Sequence, residues 1–271
     1  MSTNTKTTND PKADEVRCAA YGLIAHGFRY PDDPWLSTLT DPQRWKDWMR
    51  GLSETHRDAL APLSKLREVV EGLNQRSGLD HLQEQFAFLF GHSVRGKCPP
   101  YELEFGKSEV IQRASDLADI SGFYSAFGME LAGEVSERPD HLSVEAEFMA
   151  VLCAKAACGI ESEEEELVET VLGAQRQFLK SHLGRWLPAF SRRVQESQPC
   201  DFYGGLSDFA SAFVTCDCQR IDVSLGSPYL QLRPVDPVQE ATQSCGVPGE
   251  CDATGGERLT QLKVAASDEG H

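Results

Sequence analysis

The sequence predicts an all-α protein: a single helical-bundle domain followed by a loosely structured C-terminal tail. Three observations carry that expectation. Apolar residues recur at helical spacing through most of the first 221 positions. Capping and stop residues bracket those stretches. Period-two alternation and Asn-Gly or Asp-Gly hairpins are nearly absent, and no fixed-period repeat is present. A hydrophobic content of 40% over 271 residues suffices for a sizeable core.

Residues 1–13 are polar and read as a disordered leader, residues 14–221 as the helical domain, and residues 222–271 as a tail containing Pro, Gly and Cys. From Asp14, the residues Val16, Ala19, Ala20, Leu23, Ile24 and Phe28 share one helical face, which ends before Pro31. Asp41 caps the next helix, and Pro42 takes its first position, where a missing N–H costs nothing. Leu60, Leu63, Leu66, Val69, Val70 and Leu73 form a further stripe. In "LDHLQEQFAFLFG", Asp80 and Gln83 have capping-box spacing and Gly91 suits the C-terminal stop.

A long Gly- and Pro-containing loop then occupies 91–108, and such loops are often functional. The following helix, from about Glu109, turns Val110, Ile111, Ala114, Leu117, Ala118 and Phe127 inward and stops at Gly128. "ERPDHLSVEAEFMAVL", residues 137–152, leads into a helix ending near Gly159, with Val144, Phe148, Val151 and Leu152 at core spacing and Met149 filling the gaps. A capping box at Ser162 and Glu165 opens a helix running through "QRQFLKSHLGRWLPAFSRRV", and "DFYGGLSDFASAFVTC" is the last.

Charge and cysteine usage narrow the function classes. With 26 basic and 42 acidic residues the chain carries −16, a field that repels nucleic acid and anionic lipid and attracts basic peptides. The N-terminus lacks an apolar signal core, and no stretch is long and apolar enough for membrane insertion, so a cytoplasmic protein is expected. Nine cysteines without a compact framework fit a reducing compartment. Phosphate-loop, dinucleotide, nucleophile-elbow, zincin and CxxC signatures are all missing.

The chemistry-bearing residues admit several readings. His141 and Glu145 lie four apart, on one helical face, and could ligate a metal only with help from other segments. The bland reading makes Asp140 and His141 the hydrogen-bonded N-terminus of a helix. Glu145 and Glu147 flank an apolar stripe, either as solvated surface or as anions beside a groove that accepts Arg or Lys. Cys216, Cys218, Cys245 and Cys251 match no common metal knuckle and read as free thiols. Two rivals follow from these residues: a helical metalloenzyme using His141 and Glu145, and a metal-delivery protein using the four cysteines.

"ERPDHLSVEAEFMAVL", then "FLKSHLGRWLPAFSRRV" about thirty residues later, resembles the TorD/DmsD/NarJ family of molybdoenzyme maturation chaperones. "LFGHSVRGKCPPYELEFG" looks like that family's Gly-Pro-Pro-Tyr-Glu segment, and the branch serving periplasmic enzymes of the dimethyl-sulfoxide-reductase type is most similar. The match spans about Asp14 to Cys218; Ala146 stands where the family usually has Leu, and the tail is not covered.

The resemblance implies a TorD-like helical fold and a non-catalytic chaperone. Its partner would be the apo catalytic subunit of a molybdenum enzyme, bound through its twin-arginine leader while cofactor is inserted. It implies no permanently held cofactor and at most transient contact with the client's molybdenum cofactor. Carried over, the leader-binding residues are Pro99, Pro100, Tyr101, Glu102, Asp140 and His141. Such a leader needs carboxylates beside an apolar groove, with Glu102 and Asp140 orienting the arginines and Tyr101 adding apolar contact.

Overall fold

The computed structural model describes residues 10–73, 75–91, 96–106, 110–132, 137–197, 201–234 and 262–264, and the side chains of 75–77, 110–112 and 201 are not described. Ten α-helices make up these residues: α1 Pro11–Gly27, α2 Asp33–Leu39, α3 Pro42–Thr55, α4 Arg57–Glu71, α5 Gln75–Phe90, α6 Val110–Ala126, α7 Leu142–Glu161, α8 Glu165–Ser181, α9 Leu183–Glu196 and α10 Asp201–Arg220. The all-α expectation therefore holds. The non-helical exceptions are a short 3-10 turn at Glu102–Glu104 and an antiparallel pair of strands, β1 Met129–Leu131 and β2 Leu262–Val264.

α1 lies along α7 at the centre, α8 covers α7, and α10 packs between α4 and α9. Small buried side chains on α7 (Ala146, Ala150, Cys153, Ala156 and Ala157) let the neighbouring backbones approach closely. Interlocked aromatic rings fill the rest. Phe28 meets Phe90 and Phe190 edge-on, and Phe148 meets Phe178 at 4.9 Å.

One buried ion pair ties ends of the chain together. Arg17 on α1 donates from Nε to Asp217 Oδ1 at 2.7 Å and from Nη2 to Asp217 Oδ2 at 2.9 Å, on α10. Its Nη2 also reaches Gln175 Oε1 on α8 at 2.8 Å, Asp14 pairs with its Nη1, and the Tyr21 hydroxyl donates to Asp217. Burial pushes the Asp217 carboxyl up, but Arg17, His56 and Arg220 together outweigh it and hold the group well below the usual carboxylate range. The arrangement is bidentate and fully hydrogen-bonded, the condition under which a buried charge is tolerated.

Several helix boundaries fall where the sequence places them. Asp41 accepts from the Gln43 N–H with Pro42 at the first position, and Gly91 and Gly128, at φ 80° and 70°, end α5 and α6. Both capping boxes fail. α5 starts at Gln75, which leaves Asp80 inside its second turn, while Ser162 closes α7 rather than opening α8. The single helix expected from Ser162 onward is two, because His182 breaks it at φ −119°, ψ −106°. A Cβ at Gly184 would stand 2.4 Å from the Leu179 carbonyl, so that break needs glycine. On α6 the inward residues include Ile120 and Tyr124, whereas Ala114 and Ala118 face solvent.

Helix α2, seven residues long, and the β1–β2 pair were not anticipated. Within the stretch read as a tail, Val223 is buried, Leu232 bridges Phe105, and Leu262 is 3% exposed.

Replacing Asp217 with Asn should destabilise the fold by about 3–5 kcal/mol, because it strips most of the countercharge from a buried guanidinium. Urea unfolding of the two proteins at neutral pH measures it; a loss under about 1 kcal/mol would show that the ion pair is dispensable.

Candidate peptide-binding site

The two segments singled out in the sequence meet. The chain leaves α5 at Gly91 and returns through Cys98, whose N–H donates to the Leu89 carbonyl at 2.7 Å. Pro99 and Pro100 are buried, and proline there pre-sets an extended backbone. Tyr101 then forms an antiparallel bridge with His141: the Leu142 N–H donates to Pro100 O at 2.9 Å and the Glu102 N–H to Asp140 O at 2.8 Å. On its far side the same segment bridges 231–233, with the Gly106 N–H on Gln231 O and the Arg233 N–H on Glu104 O. The 99–106 loop is thus held on both edges by backbone hydrogen bonds.

Asp140 and His141 are buried, as the helix-terminus reading requires. His141 caps α7: its Nδ1 accepts from the Ser143 N–H at 3.1 Å and lies 2.7 Å from the Ser143 hydroxyl. Burial pulls the imidazole down to about 4, so at neutral pH it is uncharged. Asp140 accepts from Arg138 Nε at 2.9 Å and Nη2 at 2.7 Å, and from the Leu103 N–H at 3.2 Å. Burial outweighs Arg138 and leaves the Asp140 carboxyl above its ordinary value.

Glu102 has the richest set of partners. One oxygen lies 3.0 Å from His182 Nδ1 and the other accepts from Arg185 Nε at 3.1 Å, both at the α8–α9 break. Burial alone raises this carboxyl, but His182 and Arg185 together hold it below the usual value. Glu145 behaves oppositely. It is fully buried rather than at the surface, accepts from Trp186 Nε1 at 3.0 Å, and is driven well upward by burial and by the Glu102 charge, which favours the neutral acid.

Around this junction lies the accessible part. Tyr101, half-buried, donates to Glu137 at 2.9 Å and carries the Arg138 guanidinium 4.6 Å above its ring. From Glu102 onward the same loop borders a polar cavity of about 200 Å³, lined also by Asp116, Asp119, His182 and Arg185. His182 Nε2 is buried and sits 3.4 Å from Asp119 Oδ2. Asp116, Asp119, Arg138, His182 and Arg185 were not singled out by sequence reasoning as binding residues. His182 and Trp186 stood in the quoted "FLKSHLGRWLPAFSRRV" run, and that segment was the available signal.

The metal readings find little support in this geometry. His141 uses Nδ1 as a cap, Glu145 is held by Trp186, and among the described residues no cluster of three His, Cys, Asp or Glu side chains could hold a metal. Cys218 is buried with its thiol pushed up to about 12, which opposes thiolate formation, and Cys245 and Cys251 lie outside the described residues.

His141 makes a pH test available. The unfolded imidazole takes a proton near 6.5 and the folded one only near 4, so its contribution is complete above pH 6.5 and is lost as pH falls towards 4. That loss should reach about 3 kcal/mol. His141→Asn, which keeps a capping side chain, should stay within about 1 kcal/mol of wild type at pH 7 and flatten this acid slope in urea titrations. An unchanged slope would contradict the assignment.

Comparison with known proteins agrees with this architecture. The nitrate reductase delta subunit family model matches residues 52–192. The selenate reductase assembly chaperone protein of Thauera selenatis is 37% identical over 67% of this chain and 78% of its own length. The perchlorate reductase assembly chaperone protein of Dechloromonas aromatica is 28% identical over 78% and 92%, respectively. The chaperone protein TorD of Vibrio cholerae is 26% identical over 58% and 72%. With more than half its length under the family model and a relative of this similarity, the chain belongs to the nitrate reductase delta subunit family, of the TorD/NarJ type.

Proposed function

We propose that this protein is a non-catalytic cytoplasmic chaperone for the catalytic subunit of a molybdenum enzyme. It binds the apo subunit's twin-arginine leader and holds the subunit while molybdenum cofactor is inserted, touching that cofactor at most transiently. The names of the relatives support the chaperone role. Among the described residues no helix is long and apolar enough to cross a membrane, which is compatible with a cytoplasmic place of work.

The observation that carries the leader reading is the Tyr101–His141 bridge, with a half-buried tyrosine and an acidic cavity beside it. In this reading the six residues divide the work. Tyr101 touches the peptide. Pro99, Pro100, Glu102, Asp140 and His141 are positioning residues whose bonds fix the contour of the face. Glu102 and Asp140 hold Arg185 and Arg138, and in this reading the leader's arginines meet the carboxylate of Asp119, exposed at the rim of the cavity that Asp116 also lines. The net charge of −16 speeds the encounter.

Calorimetry with a peptide carrying Arg-Arg before an apolar run tests this. Wild type should bind, Tyr101→Ala should weaken binding on the order of tenfold, and Asp116→Asn with Asp119→Asn should weaken it several-fold and reduce its salt dependence. Equal affinity for all three proteins would place the leader elsewhere; no binding to wild type would remove the leader reading.

A further inference from the structure

The strand β1 is three residues long, follows the Gly128 stop of α6, and has only β2 for a partner among the described residues. β2 comes from residues 262–264, far along the chain, and pairs Met129 with Val264, Glu130 with Lys263 and Leu131 with Leu262. Three features hold it. Leu262 is 3% exposed, Lys263 Nζ lies 3.1 Å from Glu130 Oε1, and the Leu262 N–H donates to Glu147 Oε1 on α7 at 3.2 Å. By contrast Val264 is 77% exposed.

That is the anatomy of a strand-addition site: backbone pairing to an edge, one apolar socket and carboxylates for a cation. A two-stranded ribbon this short is marginal in water, so its occupant can exchange. Glu147 also borders a largely apolar cleft of about 270 Å³ between α1 and α7, lined by Cys18, Gly22, Ala25, Ala150 and Val151, with His26 and Arg29 among its walls. A ligand strand lying where β2 lies has its N-terminal end at Glu147, at the mouth of that cleft.

We propose that the β1 edge is a second peptide-binding site, occupied by the chain's own Leu262-Lys263-Val264 and open to an extended apolar–cation–apolar segment of the client subunit. Charge complementarity favours that occupant: Glu130 and Glu147 face the strand in a chain of strongly negative net charge. The client identity rests on the chaperone reading, whereas the site itself does not. Residues 262–264 then act as a tethered competitor, so that a client segment must displace them, and the body never presents a bare strand edge.

The test uses the full-length chain with Leu262→Asp, which expels the internal strand by placing a charge in the apolar socket, and retention of fold is checked by circular dichroism. A synthetic peptide, Thr-Gln-Leu-Lys-Val-Ala-Ala, should bind this variant at least about tenfold more tightly than wild type. Adding Glu130→Lys should abolish the gain, and a peptide with Glu in place of its Lys should restore it. No binding to a folded Leu262→Asp variant, or binding indifferent to the charge swap, overturns the site. If wild type dimerises and mixed-isotope exchange shows β2 pairing between copies, the occupant is a second copy and the client assignment falls. Failure of the leader peptide to bind wild type removes the leader reading and leaves these titrations to decide the β1 edge.

Discussion

The face built around Tyr101 depends on one buried carboxylate. Glu102 sits between the start of α7 and the break that separates α8 from α9, and it bonds to both: its N–H to Asp140 O, its side chain to His182 and Arg185. A buried anion is costly unless it is fully paired, so the 99–106 loop has few other positions it can occupy. Glu145, tied to Trp186, lies against Glu102, and burial and the Glu102 charge push its carboxyl upward. Removing His182 and Arg185 leaves the Glu102 charge buried and unpaired, and the loop carrying Tyr101 loses its anchor. A preordered surface of this kind spends less of any binding energy on ordering itself.

Much of this was legible in the sequence. Stripes of apolar residues and the Pro42, Gly91 and Gly128 boundary signals are local, and they placed most helices correctly. The quoted segments around Tyr101 and His141 do come together. What escaped is tertiary in origin. Glu145 carries a charged residue's letter but lies fully buried in the core beside Trp186, and no local pattern reveals that. The His182 break rests on the contact of Gly184 with Leu179 O, which an uninterrupted apolar stripe conceals. The strand at 262–264 exists only because β1 and Glu147 receive it. Helix α2 did leave a signal, Asp32 capping the Trp35 N–H with Pro34 just inside, but seven residues are too few for periodicity.

Two kinds of acidic group divide the molecule. Those that are themselves buried, Asp217, Glu102 and Asp140, fix helices and loops against one another. Those at the rim, Asp116 and Asp119 beside the cavity and Glu130 on the β1 edge, lie where the proposed peptide segments would meet them. In the proposed role affinity comes from a few aromatic and apolar contacts, and the rate of encounter from charge.

The most direct test is a photo-crosslink. A leader peptide carrying a photoreactive residue next to its arginine pair is irradiated with the full-length chain and the adduct is located by mass spectrometry. Attachment is expected within Tyr101–Phe105 or on α6 near Asp116 and Asp119. Attachment confined to α2 and α3, or no more adduct than a scrambled peptide gives, would contradict the leader site.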